Sequence, residues 1–337
     1  MVVVTILGAG AMGAALTIPF TDSGNEVRLW FTEYDEAIWK LVHKGKEHPR
    51  IKVRLPASLK LYRPDELENA VRGVDYVVIA VSSAGVRPVS ARIKGLVGGE
   101  TTCIVVAKGL EEVEGRVLRM TEIVKRYAEV KRVVYVSGPS LAAELAKKQP
   151  TFVVYSSADI NLARSARKAL ETEYYRIFPS DDVVGAELSA ALKNAYAIAY
   201  GIAAGSSEKA GVPRENLKAA VISKSLEEMG NIIVKCGGRR DTVYGLSGIG
   251  DLYVTAIGGR NSMFGRLLGS GLSLGEAIEE MKRRGVGVVE GYRNTKVIAK
   301  FLAEKGIGRE EAPLFFSVYD VLCTGTSVEK IFEALAK

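Results

Sequence analysis

The 337-residue chain predicts a doubly wound, mostly parallel α/β sheet followed by an all-helical domain. Three observations carry that expectation. Apolar runs of strand length alternate with helical segments through the first half. The first run enters a glycine-rich turn and leaves it as a helix. Beyond Phe178-Pro179 no convincing strand pattern appears, and helical segments punctuated by glycines take over.

Taken in order, Val2 to Leu7 is an apolar run, as expected of a strand buried on both faces. Ala11 to Asp22 reads as a helix, Glu26 to Phe31 as a second strand, and a further helix reaches about His43. Residues 45 to 60 are polar, contain Pro49 and Pro56, and read as an excursion between units. Strand-like runs recur at Val74 to Val81, Thr101 to Ala107, Val133 to Val136 and Thr151 to Tyr155. A long helix is expected from near Asp181. Another starts at Pro213, a residue favoured in a first helical turn, and runs towards Cys236. Shorter helices follow, separated by Gly237-Gly238, Gly258-Gly259, Gly285 to Gly287 and Gly306 to Gly308. The expected domains are residues 1–178, dinucleotide-binding for the reason given next, and residues 179–337, all-α.

Residues 8 to 13 read GAGAMG between a strand and a helix. Gly8 permits the tight turn, Gly10 lets the backbone approach a pyrophosphate, and Gly13 allows close packing of helix on strand. The helix start supplies unpaired N–H groups and a positive dipole to the phosphates. This is the fingerprint of a Rossmann-type dinucleotide site. The end of the second strand normally selects the cofactor. There Glu33 could bind a ribose hydroxyl, favouring NAD, and Thr32 is compatible with either NAD or NADP. The preference stays open.

Composition narrows the field. A hydrophobic fraction of 47% and a charged fraction of 25% are ordinary for a globular protein, and no apolar run reaches membrane-spanning length. The N-terminus lacks the basic region and cleavage site of a secretory signal. Three cysteines at scattered spacings and two histidines suggest neither a disulfide framework nor a metal site, so a reducing, cytoplasmic setting is the default. The net charge of +7 is spread along the chain. Short basic runs such as Lys282 to Arg284 lack interleaved aromatics, which argues against nucleic acid.

The stretch ELSAALKNAYAIAYGIAAG, residues 187 to 205, places Lys193 in a helix of small and apolar residues. A buried ammonium is costly unless compensated. Either its stem snorkels to the surface, or it is a catalytic group, tuned by burial towards proton transfer near neutral pH. Asn194 follows it and could border the same pocket. Lys108 comes immediately after a predicted central strand, where ligands gather in open sheets. Gly138 and Ser140 offer backbone and hydroxyl donors at another strand-to-helix turn. Asp251 stands beside glycines with Thr255 one helical turn later, and Arg260 with Asn261 opens a probable helix, a natural anion clamp.

Read together, these motifs identify a likeness. GAGAMG, the Lys108-Gly109 pair, SGPSLAAE, the ALKN ending at Asn194, GIGDL around Asp251, GGRN with Gly259, Arg260 and Asn261, and VVEG around Glu290 occur in order from residue 8 to 291. The chain resembles the NAD(P)-dependent glycerol-3-phosphate dehydrogenases. That resemblance implies interconversion of dihydroxyacetone phosphate and sn-glycerol 3-phosphate by hydride transfer with NAD(P)H and no metal, feeding glycerophospholipid synthesis. It assigns Lys193 as general acid or base, with Lys108 and Asp251 in the polar network around it. Arg260 and Asn261 would hold the substrate phosphate, and Gly138, Ser140, Asn194, Thr255 and Gly259 would border the substrate. Gly8, Gly10, Ala11, Met12, Gly13, Thr32, Glu33, Lys108, Ala142, Arg260, Val288 and Glu290 would contact the cofactor.

The chain departs from many relatives at Val81-Ser82-Ser83, where they carry a proline, and at the FTEYD segment around Glu33. Two alternatives differ in chemistry. A two-domain reductase of a 3-hydroxy acid or ketopantoate would bind a carboxylate, which GGRN and Lys193-Asn194 oppose. A non-catalytic dinucleotide sensor would have no use for Lys193, Lys108 and Asp251 together. The expected partner is a phosphotriose, with no nucleic acid and no membrane span, and the helical domain offers surface for a homodimer.

Overall fold

The computed structural model describes residues 1–286 and 289–337, the side chain of Glu290 excepted. Two compact units emerge. The first comprises Met1–Glu111 and Leu118–Ala186, and the second Glu112–Val117 and Glu187–Lys337.

The strands are β1 Val3–Leu7, β2 Glu26–Trp30, β3 Lys60–Tyr62, β4 Tyr76–Ile79, β5 Thr102–Val105, β6 Leu110–Val113, β7 Arg116–Arg119, β8 Val133–Ser137, β9 Thr151–Ser156 and β10 Tyr175–Ser180. The helices of the first unit are α1 Ala11–Asp22, α2 Glu36–Val42, α3 Leu67–Val71, α4 Ser83–Ile93, α5 Met120–Tyr127, α6 Ala142–Leu145 and α7 Ile160–Leu170. Then come α8 Val183–Ala210, α9 Glu215–Lys235, α10 Asp251–Gly258, α11 Arg260–Gly269, α12 Leu274–Arg283, α13 Glu290–Glu304, α14 Pro313–Cys323 and α15 Glu329–Ala334.

Eight strands form one sheet in the order β10-β9-β8-β5-β4-β1-β2-β3, while β6 and β7 form a separate hairpin. The expected α/β class therefore holds. β1 is flanked in parallel by β2 and β4, so the chain winds outward in both directions from it. The carboxyl ends of β1 and β4 border the switch point at which such sheets bind ligands. Val4 and Ile6 of β1 pack in a core with Ala14, Ala15 and Phe20 of α1, and Thr5 and Leu7 on the opposite face are also fully buried, as the apolar run suggested.

One step departs from parallel: β8 pairs antiparallel with β9. A parallel return needs a crossover, usually carried by a full helix. Here the connection holds only the four-residue α6, and the chain doubles back. β9 and β10 are again parallel. β10 runs through Phe178-Pro179, where the sequence suggested an end to strands. A proline cannot donate to a ladder, and β10 tolerates it because it lies at the sheet edge, paired only with β9.

The second unit is built around α8, whose 28 residues begin in the first unit. Residues 185–199 are all buried, the signature of a helix apolar on every face. α8 meets α11 through glycines. A side chain at Gly201 would lie 2.2 Å from the Ser262 carbonyl oxygen, and one at Gly205 would lie 2.1 Å from that of Arg266. Gly265 and Gly269 face Ile198 and Ile202 of α8 in the same way. Backbone-to-backbone approach of this kind fixes the Lys193-Asn194 pair relative to the start of α11. The buried Glu228 of α9 accepts from the Leu314 and Phe315 N–H groups at 2.7 and 3.0 Å and from the Tyr196 hydroxyl at 3.0 Å. It thereby caps α14, whose first N–H groups have no helical partner.

Candidate active site

In the first unit the glycine turn has the shape that a dinucleotide requires. Gly8 sits at φ +108°, and a side chain there would press to 2.9 Å on the Ala80 carbonyl oxygen. At Gly13 a side chain would collide with the Gly8 carbonyl oxygen at 2.0 Å, so helix and strand could not pack. Above Gly10 the space is open. A side chain there would meet nothing nearer than Nη1 of Arg50 at 3.7 Å. The residues present therefore fit a bound pyrophosphate at the start of α1.

Around the turn, Thr32 and Glu33 behave differently. Thr32 donates from its N–H and hydroxyl to Oδ2 of Asp35, at 2.9 and 2.7 Å, capping the short 3₁₀ turn Glu33–Asp35. The same Oδ2 accepts from the Ala9 N–H at 3.3 Å. Glu33 is exposed and paired with Arg92 at 2.6 Å, while the Arg92 guanidinium lies 4.8 Å over the Trp30 ring.

His48 is fully buried, and its Nε2 lies 2.9 Å from the Ala9 carbonyl oxygen. A carbonyl only accepts, so Nε2 carries the proton. Nδ1 then accepts from the Arg50 N–H at 3.3 Å. Burial, with Arg50 adding to it, lowers the His48 pKa against the opposing Ala9 bond and Asp35 charge, which keeps the neutral ring these two bonds require.

Further along the sheet, Lys108 leaves β5 and points its ammonium to the Gly138 carbonyl oxygen at 3.4 Å. The Ser140 hydroxyl lies 3.9 Å from the Met12 sulfur. A small cleft of about 30 Å³ brings Met12, Lys108, Gly138 and Ser140 together. Ala142 opens α6 immediately afterwards.

In the second unit Lys193 is 5% exposed and Asp251 1%, and their side chains form an ion pair. Lys193 also donates to the Thr255 hydroxyl at 2.9 Å. That hydroxyl passes its own hydrogen to the Asp251 carbonyl at 2.7 Å, so its oxygen is left to receive the ammonium. Asp251 owes its position to the π-helical turn Leu246–Gly250 that precedes α10, a distortion frequent at functional sites. Gly248 permits it: a side chain there would lie 2.0 Å from the Val243 carbonyl oxygen.

Beside this pair, Asn261 Nδ2 donates to Asn194 Oδ1 at 2.9 Å, and Asn261 Oδ1 accepts from the Gly291 N–H at 2.9 Å. Nδ2 of Asn194 is buried without a hydrogen-bond partner among the described residues. A buried orphaned donor is where a polar ligand atom would be welcome. Gly259 caps α11, and Arg260 occupies its first position, exposed. Snorkelling does not describe Lys193, whose side chain is only 6% exposed.

An open glycine turn at the switch point of one unit, and a buried lysine–aspartate–threonine cluster in the other, define a class: a dinucleotide-dependent oxidoreductase with a separate helical unit. The model of the NAD-dependent glycerol-3-phosphate dehydrogenase N-terminus matches residues 3–163, and that of the C-terminus matches residues 182–333. The chain belongs to the family of NAD(P)-dependent glycerol-3-phosphate dehydrogenases and is an oxidoreductase. It is 40% identical to the NADP(+)-dependent glycerol-3-phosphate dehydrogenase of Archaeoglobus fulgidus, over 99% of both chains. The glycerol-3-phosphate dehydrogenase [NAD(P)+] of Oceanobacillus iheyensis is 32% identical over 98% of this chain and 93% of its own. The crystal structure of glycerol-3-phosphate dehydrogenase from Coxiella burnetii superposes with a TM-score of 0.85 at 31% identity, covering 100% of this chain and 99% of that one.

Of the residues expected at the cofactor, Val288 lies outside the described residues, as does the side chain of Glu290. Asp35 and His48 were not anticipated. The available signal for Asp35 was the spacing Thr32 to Asp35, a reciprocal cap. For His48 the signal was a histidine in an otherwise polar excursion, and sequence alone offered it no partner. Among the described residues no helix is long and apolar enough to cross a membrane.

Proposed function

We propose that Lys193 is the proton donor to the ketone of dihydroxyacetone phosphate, and the acceptor in the reverse direction. Residues 179–337 then form the substrate-binding and catalytic domain and residues 1–178 the dinucleotide-binding domain. A nicotinamide cofactor held at the glycine turn would supply hydride to C2. As negative charge grows on the C2 oxygen, the Lys193 ammonium stabilises it and passes it a proton. Asp251 and Thr255 orient that ammonium, and Asp251 balances its charge within a buried site. Among the described residues Lys193 is the one buried lysine.

Arg260, at the start of α11, takes the substrate phosphate through its planar fork and the adjacent helix N-terminus. Asn261 and the unpartnered Nδ2 of Asn194 add neutral donors. Lys108, Gly138 and Ser140 supply further polar contacts. In the reducing direction the product, glycerol 3-phosphate, is the backbone to which glycerophospholipid synthesis attaches its chains.

The observation that carries this reading is the buried Lys193 ammonium held by Asp251 and Thr255. Its test is Lys193→Met, which keeps length and apolar fit. Cofactor titration should match the parent, since the glycine turn lies in the other unit. Single-turnover oxidation of bound NADH or NADPH by dihydroxyacetone phosphate should slow by roughly 10²- to 10⁴-fold. Turnover within about threefold of the parent would remove Lys193 from the chemistry.

A further inference from the structure

The two peptide groups on either side of Ala9 are each held by a buried side chain from outside the glycine turn. The N–H of the Gly8–Ala9 peptide points at Oδ2 of Asp35, and the carbonyl of the Ala9–Gly10 peptide points at Nε2 of His48. Asp35 is 6% exposed and His48 fully buried. Neither residue belongs to the glycine fingerprint, and the same Asp35 oxygen that holds Ala9 also holds Thr32.

In a planar trans peptide the carbonyl and the N–H point in opposite directions. Tying the Ala9 carbonyl to His48 therefore turns the Gly10 N–H the other way, away from the imidazole. Tying the Ala9 N–H to Asp35 likewise turns the Gly8 carbonyl away from Asp35. That carbonyl faces Gly13, as the 2.0 Å clash of a side chain built there requires. Glycines on both sides of Ala9 leave these peptides little intrinsic preference, because glycine visits both signs of φ readily. Something outside the turn must fix them.

We propose that Asp35 and His48 are positioning residues that lock the peptides flanking Ala9, so that the turn presents its N–H groups to the cofactor pyrophosphate before the cofactor arrives. The proposal rests on the reading of GAGAMG as the dinucleotide site. The gain lies in preorganisation, since a turn already held in its bound shape loses less freedom on binding. The neutral His48 ring is suited to this task. One nitrogen donates to Ala9, and the other accepts from the Arg50 N–H, which fixes the plane of the ring and with it the direction of the bond.

The experiment titrates the full-length parent and four variants with NADH and with NADPH, following cofactor fluorescence, alongside steady-state kinetics. His48→Ala and Asp35→Ala should each raise the cofactor Kd by about tenfold. The KM for cofactor should rise more than kcat falls. Asp35→Asn retains a side-chain oxygen for the Ala9 and Thr32 donors, and His48→Gln retains an N–H near the Ala9 carbonyl. Both conservative variants should restore most of the affinity. A purely structural role would lower Tm in the alanine variants and leave Kd at the parent value. Folded alanine variants that bind both cofactors within about twofold of the parent overturn the proposal, as does an Asp35→Asn variant no better than Asp35→Ala. Should His48→Ala fail to fold, the two Asp35 variants decide alone. A parent that binds neither cofactor refutes instead the underlying assignment of the turn.

Discussion

Asn261 and Asn194 join α11 to α8 through a single buried hydrogen bond of 2.9 Å, and the other amide atom of Asn261 holds the Gly291 N–H at the start of α13. One side chain thus ties three helices around the lysine. Asn261→Leu keeps the bulk and removes both bonds, leaving the Gly291 N–H and the Asn194 oxygen buried without partners. Stability should fall by about 2–3 kcal/mol, read as a lower urea midpoint. The KM for dihydroxyacetone phosphate should rise. An unchanged midpoint would mean that the glycine contacts and the Arg266–Glu208 pair hold the helices without this bond.

The Lys193–Asp251 pair is more demanding, because both members are buried. Removing one partner of such a pair strands the other charge. Asp251→Asn leaves an amide that can still accept from the ammonium but no longer balances it. Destabilisation of about 3 kcal/mol is expected, together with a kcat/KM loss of roughly 10²-fold. Urea unfolding and initial rates with dihydroxyacetone phosphate check both. A variant that lost stability but kept its rate would make Asp251 a structural counter-ion only.

Much of this arrangement could be read before the structure was known, and the boundary of what could be read is physical. The glycine turn was legible because strand, turn and helix are consecutive, and each shows its own period. Lys193 was legible because a charge on an otherwise apolar helix contradicts its surroundings. The likeness of ordered motifs supplied the rest of the expected site residues. β3 was not legible, since three residues in a polar segment leave no pattern, and neither was the antiparallel step between β8 and β9. That step depends on how far a four-residue helix carries the chain. His48 and Asp35 escaped notice for a related reason. Their bonds to Ala9 span 39 and 26 residues, and no local periodicity encodes such a contact.

Glu228 predicts a pH effect unconnected with catalysis. Burial pushes its carboxyl up to about 7 from 4.5, although bonds from Leu314, Phe315 and Tyr196 oppose the rise. A folded-state pKa above the unfolded value means that this group's contribution is fully present below pH 4.5 and is lost as pH rises through about 7. The change amounts to about 3 kcal/mol over that window. Glu228→Gln cannot titrate, so the stability difference between parent and variant should shift towards the variant as pH rises from 4.5 to 7. Urea midpoints measured across the window test the sign. A difference independent of pH would show that Glu228 stays ionised throughout, held by the three donors that face it.

The last prediction concerns which cofactor is preferred, and it rests on Glu33 and Arg92. A glutamate at the end of β2 can accept from the ribose hydroxyl of NAD and repels the 2′-phosphate of NADP. Here the glutamate is not alone. Arg92 pairs with it at 2.6 Å, donates to the Pro64 carbonyl at 2.9 Å and lies over the Trp30 ring. The ring contact and the Pro64 bond hold the guanidinium in place whether or not Glu33 is charged. Glu33→Gln therefore removes the repulsion and leaves a positioned cation able to take a phosphate. The ratio of kcat/KM for NADPH to that for NADH should rise by about tenfold. Arg92→Gln should move the same ratio in the opposite direction, because it removes the cation and leaves Glu33 unopposed. Initial rates with both cofactors at fixed dihydroxyacetone phosphate measure the ratio directly. If neither variant moves it, the 2′ position of the ribose is read elsewhere, and Arg50, whose guanidinium stands 3.7 Å from the site above Gly10, becomes the residue to change next.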